Sequence, residues 1–142
     1  DAEHQRTDQE VIAALSNVRR HLPTGAPFIF DVWYGPAVIQ DRPGARERQV
    51  DGPSGTLVRR THATLDEAQN LCTVHFELER LEGGKSTQTV QEDHVMRYFF
   101  PEELDGFAAK AGFAPVALRD FNDYRKAATS SSWNVTGVLR AV

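Results

Sequence analysis

Cysteine is almost missing from this chain. One residue, Cys72, in 142 excludes an intrachain disulfide framework and a cysteine-based metal centre, and it points to a reduced, cytoplasmic setting. Long hydrophobic runs are missing too. Nothing approaches the roughly 20 apolar residues of a membrane-spanning helix, so no membrane partner is expected, and no signal peptide is read. The chain starts at Asp1 rather than Met, so its natural start is expected to have been removed. Positive charge is in deficit, with 16 Lys and Arg against 20 Asp and Glu. Without a basic stripe to neutralise phosphates, a nucleic-acid partner is not expected. The pairs Arg19-Arg20 and Arg59-Arg60 are too short to alter this and read as solvated faces. Repeats are absent, and low complexity is confined to Ser130-Ser131-Ser132.

What is present suits one globular domain with 40% hydrophobic residues. Thr7-Asp8-Gln9-Glu10 is a capping box. Val11, Ile12, Ala14, Leu15, Val18 and Leu22 follow as one helical apolar stripe, which Pro23 and Gly25 stop. Phe28 to Trp33 is apolar except for Asp31 and reads as a strand covered on both faces, as in a parallel sheet. Gly35-Pro36 ends it. Helix, tight turn, buried strand and acidic-aromatic tip is the order by which an open α/β sheet holds a ligand beyond a strand's carboxyl end.

Residues 37 to 55 read as a loop with one short strand near Arg48–Val50. The period then changes to two. Thr56–Thr64 is a strand, and Cys72, Val74, Phe76 and Leu78 alternate with polar residues in another. Gly83-Gly84-Lys85 turns the chain, and Ser86–Phe100 runs back, making a meander of about three strands. Pro101-Glu102-Glu103-Leu104 opens a helix, with Leu104, Phe107 and Ala108 inward and Gly112 closing it. Val116–Phe121 is a short strand, Asn122–Ser132 a polar loop, and Trp133–Arg140 a last strand with Val135, Gly137 and Leu139 on one face.

Four segments carry a resemblance. RHLPTGAPFIFDVWYGP (Arg20–Pro36), EDHVMRYF (Glu92–Phe99), Pro101-Glu102-Glu103-Leu104 through Ala111-Gly112-Phe113, and Trp133-Asn134-Val135 occur in this order over residues 7 to 142. Together they resemble the C-terminal half of class I S-adenosylmethionine-dependent methyltransferases of the small-molecule type. Where that family has Pro-Gly-Gly, this chain has Pro23-Thr24-Gly25-Ala26, and the remaining glycine can still make the turn. The fold class implied is α/β: a partial Rossmann-like methyltransferase sheet, its last strands and helices, with an inserted antiparallel β-meander over residues 45–100 of a single domain, 1–142. The cofactor implied is S-adenosylmethionine. The family's glycine-rich cofactor loop and the acid that holds the cofactor's ribose would lie upstream of Asp1, and no Gly-x-Gly occurs anywhere. This chain alone is therefore expected to bind the cofactor poorly and to be inactive by itself.

By the same resemblance, the strand tip would border a methyl-acceptor pocket. Trp33 and Tyr34 would form its wall, Asp31 a polar handle or base, His94 a second base candidate, and Glu92 and Arg97 further substrate contacts. The bland readings are a turn-capping Asp31, a core Trp33, a hydrogen-bonded His94 and an ion-paired Arg97. A three-residue hairpin loop would set Glu82 opposite Ser86 and His75 opposite Asp93. His75 and His94 would then point to opposite faces, so His62, His75 and His94 share no metal site, and none is expected. Cys72, within an apolar alternation, reads as a buried inert thiol.

Two functions remain open: methyl transfer to N or O of a small molecule, or a non-catalytic binding or dimerisation module derived from a methyltransferase. In either case the Phe28–Val32 strand would present an open edge, and pairing of two copies there would give a homodimer. A third reading, a small α+β cone holding a ligand by itself, would require a deep enclosed pocket.

Overall fold

The computed structural model describes residues 6–142. The elements follow the order α1 (Asp8–Arg20), β1 (Pro27–Tyr34), α2 (Gly35–Gln40), β2 (Arg46–Gly52), β3 (Gly55–Asp66), β4 (Leu71–Glu82), β5 (Lys85–Phe99), α3 (Pro101–Ala111), β6 (Phe113–Asp120) and β7 (Asn134–Ala141). The strands form one mixed seven-stranded sheet in the order β2-β3-β4-β5-β1-β7-β6.

Half of the capping box forms: Thr7 Oγ1 accepts the Glu10 N–H at 3.1 Å, while the Glu10 carboxylate accepts from the Thr7 hydroxyl at 3.1 Å rather than from its backbone N–H. The stripe that follows buries Val11 and Leu15, with Ile12, Val18 and Leu22 packed against the same core. Each fully buried side chain of this kind contributes ~1.5–3 kcal/mol. Helix α3 opens on Pro101, and its Glu103 carboxylate accepts the Phe100 N–H at 3.0 Å. Leu104, Phe107 and Ala108 are buried beside α1. Arg19 is not merely solvated, as the sequence suggested. It donates to the carbonyls of Leu22, Gly112 and Val142 at 2.8, 3.2 and 2.9 Å, tying α1 to the ends of α3 and β7.

Strand β1 differs from expectation. Its even residues, Phe28, Phe30, Val32 and Tyr34, pack into the core under α1 and α3. On its other face Ile29 is 64% exposed and Asp31 is exposed. Only the tip is covered there: α2 folds back, so that Val38 and Ile39 pack with Trp33. Strand β1 pairs antiparallel with β7 from Pro27 to Trp33, but parallel with β5 only at Trp33↔Tyr98 and Tyr34↔Phe99. Among the described residues, the β5-side edge of Pro27–Val32 has no ladder partner.

The segment after β1, expected as a loop with one short strand, holds a helix as well, and its strand is longer. Proline near the start of α2 suits a helix N-terminus, and β2 pairs with β3 from Arg46↔Thr61 to Gly52↔Gly55. The meander therefore has four strands. Its β4–β5 hairpin closes on a two-residue turn, Gly83-Gly84, both at positive φ, rather than on three. Glu82 faces Lys85, not Ser86. A bulge next to Arg80 and Leu81 then shifts the register by one, so that His75 does face Asp93.

Candidate functional site

Period-two alternation places Trp33 and Tyr34 on opposite faces of β1. The expected shared wall is thus corrected. Tyr34 is buried under the helices, and burial raises its phenol pKa, with the Glu102 charge adding to the effect. Trp33 faces the other way and meets Trp133, just before β7, edge to face with ring centroids 5.5 Å apart. The Tyr34 N–H donates to the Trp133 carbonyl at 2.8 Å, which fixes that second tryptophan to the β1 tip.

Around this pair lies a cleft of about 510 Å³. One wall is the Trp33–Trp133 pair. The opposite wall is the face of the meander carrying Arg59, Thr61 and Ala63 on β3 and Cys72, Val74 and Phe76 on β4. The rim is the α2–β2 connection, Asp41 to Gly44, with Arg46 following, and His62 also lines the space. At the rim, Arg42 pairs with Glu67 at 2.6 Å. Cys72 and Tyr98 are buried in the small core beneath. Burial pushes the Cys72 thiol upward in pKa, consistent with an unreactive thiol, and it raises the Tyr98 phenol likewise.

His94 stands on this same meander face, opposite Val74, with its ring edge-on to Phe76 at 5.3 Å. Its Nε2 is 3.2 Å from a Glu92 carboxylate oxygen. With Arg59, Phe76, Leu78 and Val90, these two line a smaller cleft of about 190 Å³ that adjoins the first through Arg59 and Phe76. Asp31 shares the face of Trp33 two residues before it, exposed and opposite Thr136.

Arg97 belongs elsewhere. It is 3% exposed and points to the face opposite His94. It donates to Asp8 at 2.8 Å, to Glu103 at 3.1 Å and to the Arg6 carbonyl at 3.2 Å, and its guanidinium stacks over Phe99 and Phe107. That is the geometry of a structural ion pair, so the expected substrate contact does not reach the cleft. His75, also on the opposite face, is stacked on His62 with centroids 4.4 Å apart, and its Nδ1 is 2.7 Å from Asp93. Among the described residues, no group of three or more metal-ligating side chains converges. Among the described residues, no helix is long and apolar enough to cross a membrane.

The site thus unites Trp33 with Trp133, Phe76, Arg46 and Arg59, none of which but Trp33 was singled out from sequence as a site residue. The hairpin signal Gly52-Pro53-Ser54-Gly55 would have placed the two arginines, since it sets the β2–β3 register.

No described protein family and no curated protein matches the sequence. Solved structures do match the fold. An S-adenosylmethionine-dependent methyltransferase from Clostridium acetobutylicum superposes with a TM-score of 0.76 at 13% identity, over 99% of this chain and 55% of that one. The CcbJ methyltransferase from Streptomyces caelestis gives 0.76 at 23% identity, over 99% and 53%. CalS10, an amino pentose methyltransferase from Micromonospora echinaspora solved with S-adenosylmethionine bound, gives 0.68 at 17%, over 96% and 52%. The chain spans about half the length of each of these proteins, and its fold is that of the corresponding part of an S-adenosylmethionine-dependent methyltransferase, consistent with the C-terminal half of the class I type.

Proposed function

We propose that this chain is the acceptor-binding portion of a methyltransferase that moves a methyl group from S-adenosylmethionine to N or O of a small molecule. The observation that carries the reading is the Trp33–Trp133 cleft at the carboxyl end of β1, where ligands sit in open α/β sheets. The cofactor, when bound, supplies an electrophilic methyl on a sulfonium. The residues of this chain do not make its cradle, since no Gly-x-Gly is present, and this chain's share of the work is on the acceptor side.

The tryptophan pair holds and orients the acceptor, which is the main catalytic contribution in a displacement of this kind. In this reading His94, held by Glu92 in the adjoining cleft, takes the proton released by the acceptor. Asp31 is a second polar group on the Trp33 face and serves as handle or alternative base.

Calorimetric titration of S-adenosylmethionine into the chain by itself is expected to show weak binding or none, and tight binding would overturn the division of labour. Transfer of labelled methyl to small amines or alcohols is the expected activity once a cofactor-binding half is supplied, and its absence there would overturn the function.

A second reading is favoured by the open Pro27–Val32 edge of β1 with its exposed Ile29. In it the chain is a non-catalytic module that pairs with a second copy through that edge. This reading requires a dimer, and a monomer by light scattering would overturn it.

A further inference from the structure

Consecutive arginines on β3 meet opposite fates. Arg60 points to the face of the meander away from the cleft and is surrounded by Glu77 at 2.8 Å, Glu79 at 3.5 Å and Glu47 at 3.8 Å. Arg59 points to the cleft face. Directly opposite it on β2 is another arginine, Arg48, and on β4 is Leu78. Arg46 follows on the same face, opposite Thr61. Side chains directly opposite in an antiparallel ladder have Cβ atoms about 4.5–5.5 Å apart, and like charges there destabilise the sheet. Among the described residues, no carboxylate lies within ion-pair distance of Arg46, Arg48 or Arg59. The acids nearby are engaged or peripheral: Glu67 holds Arg42, Glu92 faces His94, Glu82 holds Arg80, and Asp41 lies on the rim.

We propose that Arg46, Arg48 and Arg59 form a binding site for a multivalent oxyanion at the edge of the tryptophan cleft, and that the methyl acceptor is a small molecule bearing that anion. A chain with more acids than bases does not lack carboxylates with which to neutralise this face, as Arg60 shows on the other. A bound anion supplies the missing charge. Guanidinium forks match phosphate and carboxylate oxygens bidentately, and three of them call for more than one negative charge. Arg46 and Arg59 line the cleft itself, so an anion held there leaves the uncharged part of the molecule against Phe76 and the tryptophans. Assigning the anion to the acceptor rests on the proposed transferase function, whereas the anion site does not.

The test uses the chain alone, with inorganic diphosphate and citrate as probes, read by thermal melting and tryptophan emission. A saturable rise in Tm with a change in emission is expected for at least one probe, and which one binds tells phosphate from carboxylate chemistry. In the Arg48→Gln/Arg59→Gln variant the ligand-free chain should be no less stable than the parent, because the repulsion is gone, while anion affinity falls at least about tenfold. Arg59→Lys should keep the fold and lose less. Arg125→Gln removes one charge at a remote exposed position and should leave affinity unchanged. No saturable response to either anion, or a response that survives the double substitution, overturns the site. Anion binding without methyl transfer by the completed enzyme overturns the transferase reading and leaves the site standing.

Discussion

The ring of Phe30 on β1 fills the space over Gly137 on β7, its cross-strand partner: a Cβ at Gly137 would stand 2.7 Å from Cε1 and 2.8 Å from Cε2 of that ring. The pair is how a large aromatic fits between β1 and the helices, since β7 yields a side chain's volume. Gly137→Ala is expected to destabilise the fold by about 1–3 kcal/mol through overpacking, read as a lower urea midpoint at unchanged slope. Gly44→Ala, with nothing within 4 Å of its Cβ position, should be close to silent.

Arg97 is expected to act on stability. Replacing it with Met strands Glu103, which is 23% exposed, and frees Asp8, which is 70% exposed and rehydrates readily. The cost should be about 2 kcal/mol, below that of a fully buried pair. A double-mutant cycle with Glu103→Gln should show positive coupling. If stability is unchanged and only acceptor KM moves, Arg97 is a substrate ligand after all.

Trp33→Ala should lower acceptor affinity by roughly tenfold, about 1.4 kcal/mol, and remove the edge-to-face term of ~0.5–1.5 kcal/mol from the fold. Trp133→Ala should do the same from the other side of the cleft. Tyr34→Phe, on the opposite face, should leave affinity untouched. A titration followed by fluorescence of the remaining tryptophan distinguishes these cases.

Stability should fall at both ends of the pH scale for identifiable reasons. Burial raises the Cys72 thiol above its ordinary 9.0. The unfolded chain therefore loses that proton first, and the stability present below about pH 9 declines as pH rises through the folded value. Cys72→Ala should flatten this alkaline limb. Asp120 is held below its ordinary 3.8, first by the Ser132 hydroxyl at 2.6 Å and then by the Asn122 and Asp123 N–H groups. The stability it adds is present above about pH 3.8 and is lost as pH falls through the folded value. Asp120→Asn should flatten the acid limb in pH-dependent unfolding curves.

Much of the fold was legible because its signals are local. The Thr7–Glu10 box, the Val11–Leu15 stripe, Pro101 at the start of α3 and the two-residue alternation of β4 each depend on neighbours a few positions away. The β2 strand was read only as a short piece near Arg48–Val50, and its full length from Arg46 to Gly52 was not legible because its residues are exposed throughout, which leaves no hydrophobic period to read. The bulge next to Arg80 and Leu81 was invisible for a related reason: a two-residue turn with the bulge gives the same His75–Asp93 pairing as the expected three-residue turn without one.

The sequence by itself determined the order and type of the main elements, the buried neutral thiol, and the resemblance that the superposed methyltransferases bear out at the level of fold. Tertiary structure decided which residues meet. Trp33 and Tyr34 are adjacent in the chain yet serve opposite faces, because a strand alternates its side chains. Trp33 meets Trp133 and Arg59 stands opposite Arg48 because strand pairing joins separate segments at one register. Helices α1 and α3 cover one face of β1 and α2 covers only the tip of the other, and that decides where its long apolar run is core and where it remains exposed.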